Sequence, residues 1–187
     1  MRNLIPLFIL PMAAAAPALA TEAVPVPAFR SVQLRGGGEV TILPAPAQRV
    51  TILDGSSQYT RVRVERNGEL RIDACVERCP QHYRLRIEIQ SPRVPGLAVS
   101  GGGLIATRGG FGAQPNLSVA VNGGGRIDAR SVQAGTVSAA VNGGGEAVVN
   151  ARTLLAAAIN GGGMVRYIGR PQIQSAIHGG GLVRSAQ

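Results

Sequence analysis

The sequence contains no tryptophan and no lysine, only two cysteines, and few aromatic side chains, which make up 3% of its 187 residues. A core built around large rings is therefore excluded, and small aliphatic residues must fill the interior. Beyond the first twenty residues no apolar run reaches 18 residues, so no membrane span is predicted. The basic residues are all arginine, 19 of them against 10 acidic residues. This excess of one sign of charge indicates a preference for anionic partners.

The first twenty residues have the composition of a secretory signal peptide. A basic start, Met1-Arg2-Asn3, precedes an apolar stretch over residues 4–16 and the small-residue site Ala18-Leu19-Ala20. We predict cleavage after Ala20, without a lipoprotein anchor, because no cysteine stands at the cleavage point. A short extended leader at residues 21–27 would precede a single domain over residues 28–187. The exported product would lie in the periplasm, at the outer-membrane surface or outside the cell.

The second half of the chain repeats a short alternating run that ends in a polar residue and three glycines. The first glycines of the five triplets are 22, 20, 18 and 18 residues apart, a near-fixed period that is typical of stacked repeats. Apolar residues recur at fixed offsets from them and alternate with small or polar residues, which indicates strands. One such column is Val99, Val121, Val141, Ile159 and Ile177.

A unit of two short strands cannot bury its apolar face alone, so the units must stack at about 4.8 Å per coil. The predicted fold is all-β, a β-solenoid resembling a parallel β-helix, with bends at the Gly-Gly-Gly triplets. The residues before the triplets would stack into a structural ladder of side chains, although an exposed ligand-binding row is an alternative. They are Ser100, Asn122, Asn142, Asn160 and His178.

A different segment precedes the repeats. Residues 61–66 and 69–74 alternate apolar and charged residues around Asn67-Gly68, which predicts an antiparallel hairpin. Residues 83–89 continue the alternation and are expected to add to the same small sheet. Such a sheet would cap or extend the solenoid and so protect an exposed strand edge.

These features together resemble the bacterial family named "putative auto-transporter adhesin, head GIN domain". The resemblance rests on the repeated strand, Ser/Asn-Gly-x-Gly and strand units, on the opening segment 28–41, which contains Gly36-Gly37-Gly38, and on the hairpin between them. It covers roughly residues 28–187. The family implies a β-solenoid of the cell envelope or cell surface, and it brings no catalytic residues to transfer.

Cys75 and Cys79 stand between two predicted strands. In an oxidising compartment an even pair beside a tight turn most simply forms a disulfide. A metal site that includes His82 is an alternative, but a tetrahedral site would need four ligands. A redox-active pair is another alternative, although the Cys-x-x-Cys spacing is absent.

Arginines are concentrated between residues 61 and 93. The simpler interpretation is a solvated strand face with cross-strand Arg–Glu pairs. The sharper hypothesis is a patch of Arg61, Arg63, Arg84 and Arg86 that binds lipopolysaccharide or an anionic envelope glycan through its phosphates or carboxylates. Nucleic acid is not expected, because export separates the protein from it and no aromatic residues alternate with the arginines.

The repeats contain two acidic residues, Asp128 and Glu146, whose positions would allow them to share a face on adjacent coils. A glycan-active enzyme that cleaves an acidic polysaccharide is therefore the alternative function, since glycosidases use paired carboxylates. Two scattered acids are weak support. The sequence favours a non-enzymatic scaffold or surface-binding, adhesin-like module without catalytic residues, metal or cofactor, and it leaves the oligomeric state open.

Overall fold

The structure is a computed structural model and describes residues 21–186, so the predicted signal peptide lies outside the described residues. Within that range the chain is all-β, as predicted, and has no helix. No helix long and apolar enough to cross a membrane occurs in this part of the chain. The strands are β1 (Glu22–Val24), β2 (Ser31–Gly36), β3 (Glu39–Pro44), β4 (Arg49–Asp54), β5 (Arg61–Val64), β6 (Glu69–Asp73), β7 (Arg86–Ser91), β8 (Gly96–Gly101), β9 (Leu104–Thr107), β10 (Gln114–Asn122), β11 (Arg126–Asn142), β12 (Glu146–Asn160), β13 (Met164–Ile168), β14 (Gln172–His178) and β15 (Leu182–Ser185).

The strands form one mixed sheet that divides into two stacks. The first stack runs β5, β6, β2, β8, β10, the C-terminal parts of β11 and β12, and β14. The second stack runs β1, β4, β7, β3, β9, the N-terminal parts of β11 and β12, then β13 and β15. Pairing is parallel except for β1–β4, β4–β7 and β5–β6, which are antiparallel. The chain thus passes from one stack to the other at each glycine bend.

The apolar columns predicted from the repeat are the core of the molecule. Val121 pairs with Val141 and Val141 with Ile159 in consecutive strands, and each of the three is 0% exposed. Residues from both stacks belong to a single hydrophobic cluster. The predicted stacking of these three side chains is therefore confirmed.

The triple glycine has a steric cause that differs at its three positions. Gly143 has a φ of +110°, and a Cβ there would lie 2.8 Å from the carbonyl oxygen of Gly123 in the neighbouring bend. A Cβ on Gly145 would meet a methyl group of Val121 and lie 2.6 Å from the oxygen of Gly125. Nothing lies within 4 Å of the position that a Cβ on Gly144 would take. The first and third glycines are therefore required by the close approach of successive bends, and the middle one has no steric requirement.

The opening unit lies in the same two stacks as the repeats. β2 and β3 are joined by a bend at Gly36-Gly37-Gly38, and they pair in parallel with β8 and β9. On their other side they pair with β6 and β7. The stacks therefore extend past the five repeats that the sequence pattern marked.

The prediction that residues 83–89 continue the hairpin is wrong. β5 and β6 form the predicted hairpin, but β7 pairs with β3 and β4. The physical reason is that residues 74–85 cross from the first stack to the second, as the glycine bends do. Ala74 N donates to Arg35 O at 3.0 Å, and Glu39 N donates to Leu85 O at 2.8 Å, so this crossing lies beside the bend at residues 36–38.

The segment predicted as a leader pairs with the sheet. Residues 22–24 form β1, which pairs antiparallel with β4. Val24 and Val26 pack against the hydrophobic cluster. Burial of these two apolar side chains favours pairing of the segment with β4 over an extended conformation in solvent.

The bend geometry predicts different effects for two neighbouring substitutions. Gly145→Ala should lower the free energy of unfolding by about 1–3 kcal/mol, because the added methyl overpacks the bend. Gly144→Ala, the matched control, should change it by less than about 0.5 kcal/mol. Equilibrium unfolding in urea measures both. Equal midpoints for the two variants would contradict the steric account.

Candidate anion-binding site

The β5–β6 hairpin places charged side chains on the outer side of the first stack. Leu70 and Ile72 of β6 are buried, so Arg71 between them points outward. Arg63 lies opposite Arg71 in the antiparallel register, and Arg61 lies opposite Asp73. Arg35 of the neighbouring β2 pairs with Asp73 in the parallel register. Four arginines and one aspartate therefore meet on three adjacent strands.

These side chains line a polar cleft of about 440 Å³, here called the arginine cleft. It is lined by Arg35, Gly36, Arg61, Arg63, Arg71, Asp73, Ala74, Cys75, Val76 and Ser100. The first end of the stacked strands thus contains a concave surface in which guanidinium groups predominate.

Ion pairs hold part of the cleft in place. Asp73 lies 3.3 Å from Arg71, 3.6 Å from Arg63 and 3.7 Å from Arg35. Glu65 lies 2.9 Å from Arg63 and 3.7 Å from Arg71. Three guanidinium groups are thus held by two carboxylates, and Arg61 adds a fourth positive charge to the cleft.

Arg61 is the arginine best placed for a ligand. Its side chain is exposed, and among residues 21–186 it makes no ion pair within 4.0 Å, although Asp73 is its cross-strand neighbour. Guanidinium forks match the geometry of phosphate and carboxylate groups, and their partly exposed ion pairs are weak enough to exchange partners. The chemistry of the cleft is therefore that of an anion site.

The four arginines predicted as one patch are divided between the two stacks. Arg61 and Arg63 lie on β5 in the first stack, whereas Arg84 and Arg86 stand before and on β7 in the second stack. The reason is the crossing of residues 74–85 described above. The prediction also missed Arg35 and Arg71. Arg71 alternates with buried residues and was readable from the hairpin pattern, but Arg35 comes from a strand that pairs with β6 at long range.

The predicted disulfide between Cys75 and Cys79 is present, at an S–S distance of 2.09 Å. The disulfide lies in the loop between β6 and β7. This loop crosses between the stacks, as the glycine triplets do at the other bends. Tyr83 anchors the loop, since its hydroxyl lies 2.6 Å from Thr60 Oγ1 and accepts a hydrogen bond from Ser56 N at 3.1 Å. Among the residues that the structure describes, no group of three His, Cys, Asp or Glu side chains is placed to hold a metal ion.

Asparagine amides in the predicted ladder bond to one another along the stack. Asn142 Nδ2 donates to Asn122 Oδ1, and Asn160 Nδ2 donates to Asn142 Oδ1, each at 2.9 Å. Ser100 and His178 occupy the two ends of the row, in register with Asn122 and Asn160. The first-stack strands that end in asparagine are therefore linked, just before the glycine bends, by a short chain of amide hydrogen bonds on their exposed side.

Asp128 and Glu146 lie on the second stack, where Arg126 contacts both. Arg126 Nη2 is 3.8 Å from Asp128, and Arg126 Nη1 bonds Glu146. Arg166 lies 3.4 Å from the other oxygen of Glu146, and Arg130 lies 2.8 Å from Asp128. The two acids therefore lie on adjacent strands and share Arg126. Both carboxylates are held in ion pairs.

Burial would raise the pKa of Asp128 and is the largest single effect on it. The hydrogen bonds from Arg130, together with the positive charges of Arg130 and Arg126, outweigh burial and lower the pKa below its ordinary value of 3.8. Asp128 is therefore a carboxylate at neutral pH, unable to serve as a general acid.

The first stack also has an apolar depression of about 510 Å³ on its small side chains. It is lined by Ser118, Val119, Ala120, Ser138, Ala139, Ala140, Ala156, Ala157, Ala158, Gln174, Ser175 and Ala176. It is somewhat larger than the arginine cleft, but its lining contains no charged side chain. The arginine cleft is the better candidate, because it brings together groups that recognise a defined chemistry.

Residues 110–171 match the family described as "Putative auto-transporter adhesin, head GIN domain". The match covers about a third of the chain and includes three of the glycine triplets. The resemblance predicted from the sequence is therefore confirmed over this segment. No curated protein matches the chain.

Solved structures resemble this chain to different degrees. A "putative adhesin" from Bacteroides fragilis NCTC 9343 superimposes with a TM-score of 0.57 at 19% identity, over 91% of this chain and 98% of that chain. A "putative adhesin" and a "Putative lipid binding protein", both from Parabacteroides distasonis ATCC 8503, give TM-scores of 0.41 and 0.36 at 16% and 18% identity. They cover 89% and 90% of this chain and 96% of each of those chains. At such identities the first similarity shows the fold alone.

Because the pKa of Asp128 is lowered in the folded state, its carboxylate stabilises the fold above pH 3.8, and this contribution is lost as the pH falls through the folded-state value. Asp128→Asn should therefore lower the free energy of unfolding at neutral pH by about 1 kcal/mol or less. The difference from wild type should shrink at a pH well below 3.8. Urea unfolding at both pH values measures it, with Asp54→Asn as a control outside the ion pairs. A difference that persists at low pH would contradict the assignment.

Proposed function

We propose that this chain is an exported, non-enzymatic β-solenoid whose arginine cleft binds an anionic polymer of the cell envelope. The polymer is a lipopolysaccharide or an acidic glycan, recognised by its phosphate or carboxylate groups. The observation that carries the proposal is the meeting of Arg35, Arg61, Arg63 and Arg71 in one cleft with a single lining carboxylate. Arginine forks bind such groups with two parallel hydrogen bonds.

The solenoid winding is supported by the parallel register on both sides of each glycine bend. Each repeat moves the chain by one strand in the first stack and one in the second. A continuous coil is the simplest path with this pairing. The antiparallel strands β1, β4 and β5 then cap its first end.

Export is supported by the composition of residues 1–20 and by the Cys75–Cys79 disulfide, since disulfides persist in oxidising compartments. The matched family is named for adhesins, which agrees with a binding role at the surface. An exported protein with an excess of positive charge would meet anionic envelope polymers before any other polyanion.

The alternative, a glycan-cleaving enzyme, is the weaker proposal. Glycoside hydrolysis needs one carboxyl group protonated near neutral pH and a second that is free to act as base or nucleophile. Asp128 has a lowered pKa, and Glu146 is paired with Arg126 and Arg166. The same contacts suit an ion-pair network that fixes the outer side of the second stack.

The proposal predicts binding that depends on the cleft and on salt. Removing two cleft arginines, Arg61→Ser with Arg63→Ser, should weaken binding to purified lipopolysaccharide at least about tenfold, since a hydrogen bond to a charged group contributes about 1.5–3 kcal/mol. Wild-type binding should weaken between 0.1 and 1 M salt, as the Debye length falls from about 10 Å to 3 Å. Isothermal titration or surface plasmon resonance measures both.

The matched control is the pair Arg84→Ser with Arg86→Ser, which removes the same charge from the second stack. It should leave most of the affinity intact, and thermal melts should show that both double variants fold. Equal losses in the two double variants would indicate a diffuse charge effect and overturn the cleft assignment. Full binding by the cleft variant would leave a scaffold without this ligand as the better account.

A further inference from the structure

The last coil of the stacks is uncovered. Within the described part of the chain, β14 pairs only with β12, and β15 only with β13, so each has one free edge. The opposite end is finished by β1 and β5, which are three and four residues long, and β5 carries Arg61 and Arg63. Short, charged edge strands of this kind resist the addition of another strand. β14 has seven residues and no such protection.

The uncovered coil exposes the residues that the same columns bury elsewhere. Ile177 is in register with Ile159, which is 0% exposed, yet Ile177 is 41% exposed. Ile173 is in register with the fully buried Leu155 and is likewise 41% exposed. Leu182 of β15 is 54% exposed, but it stands in an outward-facing column with Met164 and Glu146. These three are the exposed large hydrophobic residues of the described chain. Apolar surface and free backbone groups thus coincide at one end.

The sequence of β14 is complementary to itself. Gln172-Ile173-Gln174-Ser175-Ala176-Ile177-His178 has its two isoleucines at equal distances from Ser175. In an antiparallel pair centred on Ser175, Ile173 of one copy lies opposite Ile177 of the other, both on the core side. β14 contains no aspartate, glutamate, lysine or arginine. Two copies of a chain with a formal net charge of +9 can therefore meet here without opposing arginines.

We propose that the partner of this end is a second copy of the chain. The two copies join through β14 about a two-fold axis at Ser175 and continue the first stack from one protomer into its partner. Such an interface uses the same surface on both copies, so it closes at two. Further growth is opposed because the outer ends of the pair carry β1 and β5.

If the arginine cleft binds as proposed above, the pairing also gives the assembly two sites. Thirteen strand steps of about 4.8 Å separate the two copies of β6, so the clefts would lie roughly 60 Å apart. A polymer long enough to reach both would bind more tightly than one that reaches a single cleft. This consequence rests on the proposed function, whereas the dimer itself does not.

Sedimentation of the mature chain, residues 21–187, tests the proposal. Wild type should have twice the chain mass, and Ile177→Arg should have the mass of one chain, because it places two like charges at the interface. Ser118→Arg adds the same charge at an exposed position of β10, which does not pair with β14, and should remain a dimer. A monomeric wild type, a mass above two chains, or a dimer unchanged by Ile177→Arg would overturn the proposal.

A cysteine at the axis tests the pairing without depending on the folding of the arginine variant. Ser175→Cys should form a covalent dimer on mild oxidation, because each cysteine lies directly opposite its copy. Gln174→Cys, one residue from the axis, should not, because it lies opposite Ala176 of the partner. Cys75 and Cys79 are already joined and do not compete. Absence of cross-linking in Ser175→Cys, or equal cross-linking of both variants, would overturn the β14 pairing.

Discussion

Contact between the backbones of successive glycine bends is the constraint on which the rest of this structure depends. The first glycine of each triplet turns the chain at positive φ against the bend before it, and the third fits where a Cβ would strike a buried side chain and a carbonyl oxygen. Because each bend lies on its neighbour, the strands on both sides keep one register. The apolar columns then meet without large aromatic residues to fill gaps.

Where the glycine repeat is interrupted at the first end, arginine side chains come together on the outer surface. At the first end, a loop closed by the Cys75–Cys79 disulfide replaces a glycine triplet, and an antiparallel hairpin covers β2. This change brings arginines from three strands into one cleft. Along the repeats of the first stack the outer residues are mostly alanine, serine and asparagine, which offer a ligand little charge. At the last end the repeat stops with its core columns uncovered.

The repeat could be read from the sequence because its columns recur at fixed spacing. Val121, Val141 and Ile159 each stand two residues before a glycine triplet, and the structure pairs them. The placement of the opening unit could not be read in this way, because chain order and stack order differ. β2 lies between β6 and β8 in the first stack, although β3, β4 and β5 separate it from β6 in the chain.

The difference between chain order and stack order also explains which arginines of the cleft could be predicted. Arg61 and Arg63 follow from the alternation of a local hairpin, which needs no long-range information. Arg35 joins them only through the parallel pairing of β2 with β6, and Arg86 leaves them through the crossing to β7. The strands of this sequence share the same alternation of apolar and polar residues. The alternation therefore does not indicate which strands pair at long range.

The central claim is that successive strands of the two stacks share one continuous core, and a charge at its middle tests it most directly. Val141 is 0% exposed between Val121 and Ile159, so Val141→Asp would bury a carboxylate without a partner. Far-ultraviolet circular dichroism during urea unfolding should show no cooperative transition in this variant, whereas Ser138→Asp, on the outer side of the same strand, should unfold as wild type does. A cooperative transition of Val141→Asp at the wild-type midpoint would contradict the account.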